Sequence, residues 1–436
     1  MNLFKLSWKN ITAKPWSTAL NLILFSFGVS IISLLLILND QLENTLEKNQ
    51  AGIGLVVGAK GSPLQLILSS IYHVDVPTGN IKLAEAQKLA RNPLISKGIP
   101  LALGDSYKGF RIVGTDHEYP ALYETKVAAG NLWEHDLEVT IGAKIAQQFK
   151  LKVGDEFFGA HGMGEGGGHH DHHPFVVKGI FEPSGTVIDQ LILTNVASVW
   201  KVHEHGDEDK KGKYKVTLGK EDHHEEEEHD KEHANHEEGQ HHDDEHAEHD
   251  EHHEEDREIT AMLLKFRSPM GAITLPRMIN ANTNMQAASP AYETARLFSL
   301  IGVGADALKA LAAIIIIISG LSVFISLYNS MKERRYEIAY LRVLGATRLN
   351  LFMLIILEGI IIAVLGYLIG IGMSHFGMSI LGSYLEDSWK FSFAAWQLQS
   401  EEIALLWGAL AIGFVSAIIP AWQAYKTDIS STLSNQ

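Results

Sequence analysis

The chain has 436 residues, 46% of them hydrophobic, a formal net charge of −16 and no cysteine. The missing cysteine excludes disulfides, thiolate metal sites and cysteine nucleophiles. The acidity belongs to one segment: residues 221–256 hold nineteen acidic residues, eleven His and one Lys, a charge of −18, so the rest of the chain sums to about +2.

In chain order, Leu3, Phe4, Trp8 and Ile11 alternate with Lys5, Lys9 and Asn10, which predicts an amphipathic helix over residues 1–16 at a membrane surface. Residues 15–39 carry no charge, and their apolar run Leu20–Leu38 has about the ~20 residues needed to cross hydrocarbon. A first span is predicted over 17–38. Its core is too long for a secretory signal, and Asn39, Asp40 and Gln41 offer no small-residue cleavage site.

Gly58-Ala59-Lys60-Gly61-Ser62 superficially suggests a phosphate loop, but it lacks the Walker spacing and is expected to be a turn. Ala84–Arg91 reads as a short helix, while Phe110–Gly114, Val139–Ile141 and Phe175–Phe181 read as strands. Gly142–Phe149 has the pattern of a short amphipathic helix, and Leu151–Phe157 that of a turn entering a strand. Residues 39–306 are therefore expected to form an α+β domain with two subdomains.

Histidine is concentrated in this domain. His169, His170, His172 and His173 lie in a Gly-rich loop, and the pairs His229/His233, His242/His246 and His249/His253 stand four apart in the acidic tract. Imidazole and carboxylate are both zinc ligands, and on a helix each pair would share a face. With no thiolate and many equivalent ligands, the expectation is several weak, exchangeable sites for Zn²⁺ or another divalent metal, weaker on mild acidification. The plainer reading of 203–258 is a disordered, solvated insert without a physiological ligand. No intrinsic cofactor and no nucleic-acid partner are expected.

Three more uncharged stretches cluster near the C-terminal end and predict spans at 307–329, 350–373 and 403–425. Eleven of residues 310–329 are Leu, Ile, Val or Phe, so insertion gains on the order of 3–7 kcal/mol. The middle stretch, the third span of the chain, is interrupted by the single charge of Glu358, about 10 Å inside at ~1.5 Å per residue. Glu358 reads either as a paired or snorkelling charge or as part of a transmission path. Lys5, Lys9 and Lys14 precede the first span, and Lys332, Arg334, Arg335, Arg342 and Arg348 lie between the second and third, so both flanks are expected on the cytoplasmic side. Residues 330–349 and 426–436 are then cytoplasmic, and 374–402 form a short loop on the opposite side. The expected fold class is an α-helical integral membrane protein with four transmembrane helices and a large extracytoplasmic α+β domain between helices 1 and 2.

Several segments resemble the MacB/FtsX/LolC-LolE permeases. They are Gly114-Thr115-Asp116, Ala129-Gly130-Asn131-Leu132-Trp133, Val139-Thr140-Ile141-Gly142, Leu151-Lys152-Val153-Gly154-Asp155 and Phe175–Ile180, in that order. Lys332–Thr347 is similar to the family's cytoplasmic loop after span two, and Pro420–Lys426 with Leu433 to its close. The resemblance covers nearly the whole chain except about 203–258.

It implies a permease of the bacterial inner membrane, working as a homodimer or paralogous heterodimer with a separate cytoplasmic ABC ATPase of the MacB/LolD kind. A periplasmic partner is compatible with that role, and enzymatic activity in this chain is not expected. Arg334, Arg335, Glu337, Leu341, Arg342 and Gly345 become the expected ATPase-coupling residues; the plainer reading is an interfacial helix whose arginines only set topology. Two other functional readings stay open: an FtsX-like regulator of an envelope hydrolase, and a membrane metal sensor.

Overall fold

The computed structural model describes residues 3–161, 173–204, 257–389, 396 and 398–426. The chain divides into two compact units, Met1–Thr45 with Arg296–Gln436, and Leu46–Ala295.

The first unit is helical: α1 (Leu3–Ala13), α2 (Pro15–Gln50), α9 (Pro290–Glu333), α10 (Arg335–Val343), α11 (Arg348–Trp389) and α12 (Ser400–Lys426), with α2 and α9 running on into the second unit. Among the described residues, α2, α9, α11 and α12 are long and apolar enough to cross a membrane. A helix satisfies its own backbone polar groups, which lipid cannot do, so these stretches have few alternatives. Helices α2, α9 and α11 run on past the ends of their apolar runs; α11, for example, continues past Ser374 to Trp389. Helices α11 and α12 approach closely at Gly359 and Gly413, where a Cβ on either would lie 2.6 Å from Gly413 O or the Ala363 Cβ. Small residues permit such contact in lipid, where close packing drives association. The sequence reading passed over this pair.

The second unit holds β1 (Leu55–Ala59), α3 (Pro63–Ser70), β2 (Ile81–Lys82), α4 (Leu83–Ala90), β3 (Ile95–Tyr107), β4 (Phe110–Thr115), α5 (Glu118–Leu122), β5 (Val127–Gly130), β6 (Glu138–Ile141), α6 (Ala143–Phe149), β7 (Glu156–Phe157), β8 (Ala160–His161) and β9 (Phe175–Phe181). After β9 come β10 (Ile192–Asn195), α7 (Val196–Glu204), β11 (Glu258–Ile259), β12 (Ala261–Phe266), α8 (Pro269–Asn282) and β13 (Met285–Ala288). Among the described residues a mixed sheet runs β13-β1-β12-β3-β4-β10-β6-β9-β5. Strand β3 joins two halves: its residues 95–101 pair with β12 and its residues 102–107 with β4, with a register shift after Leu103.

Each half has its own core. Leu55, Val57, Ile95, Leu264 and Ile279 fill one, and Phe110, Ile112, Val139, Ile141, Phe157 and Phe175 fill the other. Where two subdomains were expected, two cores lie under one continuous sheet. The expected helix and strands at 84–91, 110–114, 139–141, 142–149 and 175–181 appear within a residue or so of their predicted ends. One expectation is corrected: Gly58 and Ala59 are the end of β1, Gly58 pairing with both β12 and β13 and Ala59 with β13. The turn is confined to Lys60 and Gly61, and Ser62 caps α3, accepting from Gln65 N at 3.4 Å ahead of Pro63.

Side chains of the second unit also hold the helix ends that belong to it. Tyr72 donates to the Leu46 carbonyl at 3.3 Å and lies 3.1 Å from Thr294 Oγ1, while Tyr123 donates to the Asn49 carbonyl at 3.0 Å. Next to them, buried His73 has Nε2 2.8 Å from the Tyr119 hydroxyl, and Arg111 Nε donates to the His73 carbonyl at 3.0 Å. Burial first, and then the Arg111 charge, push the His73 imidazole down to about 3 from its ordinary 6.5.

Between these two values the unfolded chain binds the proton and the folded one does not, so stability is full above about pH 6.5 and falls as the pH drops toward 3. The slope is up to ~1.4 kcal/mol per pH unit. Hydrogen exchange across β4 in the full chain, corrected for intrinsic rate, is expected to show this loss between pH 7 and 5. His73→Gln should flatten it.

Candidate functional site

The loop between the second and third apolar helices folds into α10, and its two ends are built by sequence. At Arg334 the backbone leaves helical geometry (φ −98°, ψ 16°), which separates α10 from α9. At the far end Gly345 takes φ +98°, with its N–H donating to Arg342 O at 3.1 Å and the Ala346 N–H to Leu341 O at 3.0 Å. This is a Schellman stop, and it requires the left-handed conformation that glycine adopts without Cβ penalty. Thr347 then caps α11 through its hydroxyl, accepting from Asn350 N at 3.2 Å.

The helix so bounded has two faces. Ile338 and Ala339 are buried, and Leu341 packs with Met331, Leu327 and Ile355. Outward point Tyr336 (49% exposed), Tyr340 (63%), Val343 and Leu344. An apolar, aromatic strip on a loop helix otherwise flanked by arginine has the composition of a protein-binding surface. Of the residues expected to couple, Glu337 is exposed, Arg342 and Leu341 are half-buried, and Arg334 is mostly covered, with its Nε 3.9 Å from Glu337 Oε2. The Arg335 side chain lies outside the described set. The helical spacing of Ile338 and Leu341 predicts an inward face and both pack against the bundle, but Leu344, the next position of that series, is 68% exposed and joins Tyr336, Tyr340 and Val343 on the outward face.

Behind α10 lies a small cleft of about 60 Å³, open to solvent, whose polar lining is Asn10, Ser330, Arg334, Glu337 and Glu358. Glu358 is 7% exposed, and Asn10 Nδ2 donates to its Oε1 at 2.6 Å. The carboxylate is therefore turned inward and does not snorkel. Asn10 reaches it because α1 packs on α11 with Ser7, Asn10 and Ile11: Ser7 Oγ donates to Leu354 O at 3.2 Å, while Phe4 and Trp8 stay exposed. The sequence reading of α1 as a surface anchor thus covers only one of its faces.

Of the ten histidines expected to bind metal, His173 is described, half-buried just before β9. His169, His170, His172, His229, His233, His242, His246, His249 and His253 lie outside the described residues. Among the described residues no group of three or more His, Cys, Asp or Glu is arranged to hold an ion. The two ends of the acidic insert are tied together: Trp200 Nε1 donates to Glu258 O at 2.7 Å, and Arg257 stacks on the Trp200 ring at 5.0 Å.

The Asn10–Glu358 bond yields a direct test. Asn10→Ala leaves a buried carboxylate short of a donor and should cost about 1–3 kcal/mol. In a double-mutant cycle read by thermal unfolding in detergent, adding Glu358→Gln should recover most of that loss.

The sequence model of the MacB-like periplasmic core domain matches residues 18–218, and that of the FtsX-like permease C-terminal domain matches residues 309–429. Among curated proteins, the uncharacterized ABC transporter permease YknZ of Bacillus subtilis (strain 168) is 27% identical over 118 residues, 27% of this chain and 28% of that protein. The macrolide export ATP-binding/permease protein MacB of Psychrobacter arcticus is 28% identical over 127 residues, 29% of this chain and 18% of that protein. The matches thus span less than a third of either relative.

Among solved structures, the periplasmic region of MacB from Actinobacillus actinomycetemcomitans aligns with TM-score 0.32 at 12% identity, covering 58% of this chain and 97% of that one. The extracellular domain of the noncanonic ABC-type transporter YknZ from Gram-positive bacteria aligns with TM-score 0.28 at 9% identity, covering 54% and 99%. A periplasmic-core match followed by a permease match, together covering most of the sequence, places the chain in the MacB/FtsX-type ABC transporter permease family.

Proposed function

We propose that this chain is the permease subunit of an ABC system in which a separate cytoplasmic ATPase drives work on the far side of a bacterial inner membrane. The observation that carries this reading is α10: a short helix stopped at both ends, with Tyr336, Tyr340, Val343 and Leu344 presented outward and Ile338 and Leu341 seated in the bundle. A partner closing on that strip would move a rigid element packed against α9 and α11, and packed interfaces tend to switch between arrangements rather than yield gradually. Arg334, Glu337 and Glu358 share the cleft behind the helix, so a shift of α10 alters the charges next to Glu358 directly. In this scheme Arg335, Arg342 and Gly345 steer and shape the docking surface rather than form its centre.

Lys5, Lys9 and Lys14 before α2, and the basic residues from Lys332 to Arg348, favour the cytoplasmic side for both flanks and for both termini. No segment of the sequence has Walker spacing, which is why ATP hydrolysis is assigned to another subunit. Family membership supports that kind of partner and a dimeric assembly of this chain or of this chain with a paralogue. Tyr336→Ala with Tyr340→Ala should reduce co-purification of the ABC ATPase that accompanies the wild-type chain by at least ~10-fold, as loss of aromatic anchors does. Trp422→Ala, an exposed aromatic elsewhere on the helices, serves as the control. Retention of the ATPase by the double variant would remove α10 as the docking element.

The His-rich tract adds a metal link to the reading. The bond from Trp200 to Glu258 holds the two flanks of the tract together, which suits capture or buffering of Zn²⁺ or a similar cation without disturbing the sheet. Calorimetric titration of the full chain with Zn²⁺ should show several weak sites at pH 7.5 and markedly weaker binding at pH 5.5. Equal binding by a chain lacking residues 205–256 would dismiss the link.

A further inference from the structure

Glu402 lies in the first turn of α12 and is 1% exposed, whereas its neighbour Glu401 faces outward. Its two carboxylate oxygens have different partners. Oε2 accepts from the backbone N–H of Gln399 at 3.2 Å while Glu402 N donates to Gln399 O at 3.2 Å, a helix-start arrangement that an exposed glutamate could serve equally well. Oε1 points into the bundle, where Ser33 of α2 donates to it at 2.6 Å and His375 Nε2 of α11 lies 3.3 Å away.

Ser374 Oγ stands 2.7 Å from Ser33 Oγ, and Ser33, Ser374 and His375 are all buried. Around this centre, Tyr367 of α11 donates to the Glu402 carbonyl at 3.0 Å, and Gln399 Nε2 donates to Asp40 of α2 at 2.8 Å. The His375 ring is stacked on Trp396 at 5.8 Å. Capping accounts for Oε2 alone. It does not account for an acid at a helix start being drawn inside and met by two other helices.

We infer that Glu402 is a positioning residue that fastens α2, α11 and α12 into one block at the end of the bundle away from α10. Because Glu402 is 1% exposed, its carboxylate can trade Ser33 and His375 for water only if the helices part, so the three helices stay together or part at once. Helix α9 is bonded to α2 elsewhere, through Ser322 Oγ to Asn21 Oδ1 at 2.7 Å and Ser17 to Ser326 at 2.9 Å. A push on α10 is then passed to a block instead of being lost in slippage between α11, α12 and α2. The block stands on the geometry alone; its part in ATP-driven motion rests on the permease reading above.

The chain has no cysteine, so spin labels can be placed without background. In full-length protein, with and without its ATPase, labels at Glu43→Cys and Ile403→Cys report the Glu402 end, and labels at Trp16→Cys and Trp422→Cys report the opposite end. The wild-type background should give one narrow distance at the Glu402 end, the same in nucleotide-free and ATP-trapped complexes. Glu402→Ala and the milder Ser33→Ala should broaden that distribution about twofold or more and make it depend on nucleotide, with the opposite end unchanged.

Glu402→Gln, which keeps an acceptor oxygen, should restore the narrow distance. Narrow distributions in both Glu402→Ala and Ser33→Ala would overturn the inference, and so would equal broadening at both ends in every variant. Should Glu402→Ala not fold, Ser33→Ala decides. Should no ATPase bind, the permease reading fails while the nucleotide-free distances still judge the block.

Discussion

A carboxylate inside a lipid-facing helix bundle must be met by donors from its own chain, because hydrocarbon offers none. That constraint organises the helical unit. Glu358 is held by Asn10, and this bond, with Ser7 on the Leu354 carbonyl, draws the amphipathic N-terminal helix onto α11. The helix therefore has a packing face as well as a lipid-facing one. Without the buried acid there would be little reason for Asn10 to face inward.

The same cleft gives α10 its setting. The helix is short, with a break at Arg334 and a left-handed stop at Gly345, and so cannot fray into its neighbours. Its inward residues join the bundle core, while Tyr336, Tyr340 and Val343 stay exposed. Exposed aromatic side chains in a strip of this kind have the composition of a surface that binds other proteins.

In the second unit the corresponding constraint is the length of β3. A strand of 13 residues pairing in turn with β12 and β4 gives two cores one continuous sheet, and buried polar contacts from Tyr72, Tyr123 and His73 settle the adjoining segments. The His- and acid-rich insert leaves this unit after α7 and returns at β11, where Trp200 and Arg257 close the gap. Composition can thus diverge freely between those two points without cost to the sheet.

Much of this was legible in the sequence. The apolar runs, the short strands bounded by turn residues, and the positively charged flanks follow from local composition and periodicity, and local forces are enough to fix them. The order of family-like segments pointed to the permease family for the same reason. What the sequence could not supply were pairings between distant residues. Asn10 with Glu358, Ser33 and His375 with Glu402, and Gly359 against Gly413 are hundreds or tens of positions apart, and only packing brings them together. The sequence determined which segments enter lipid and where helices and strands form. Tertiary structure alone decided which polar groups meet inside, since a buried donor and acceptor select each other by position and not by any local pattern.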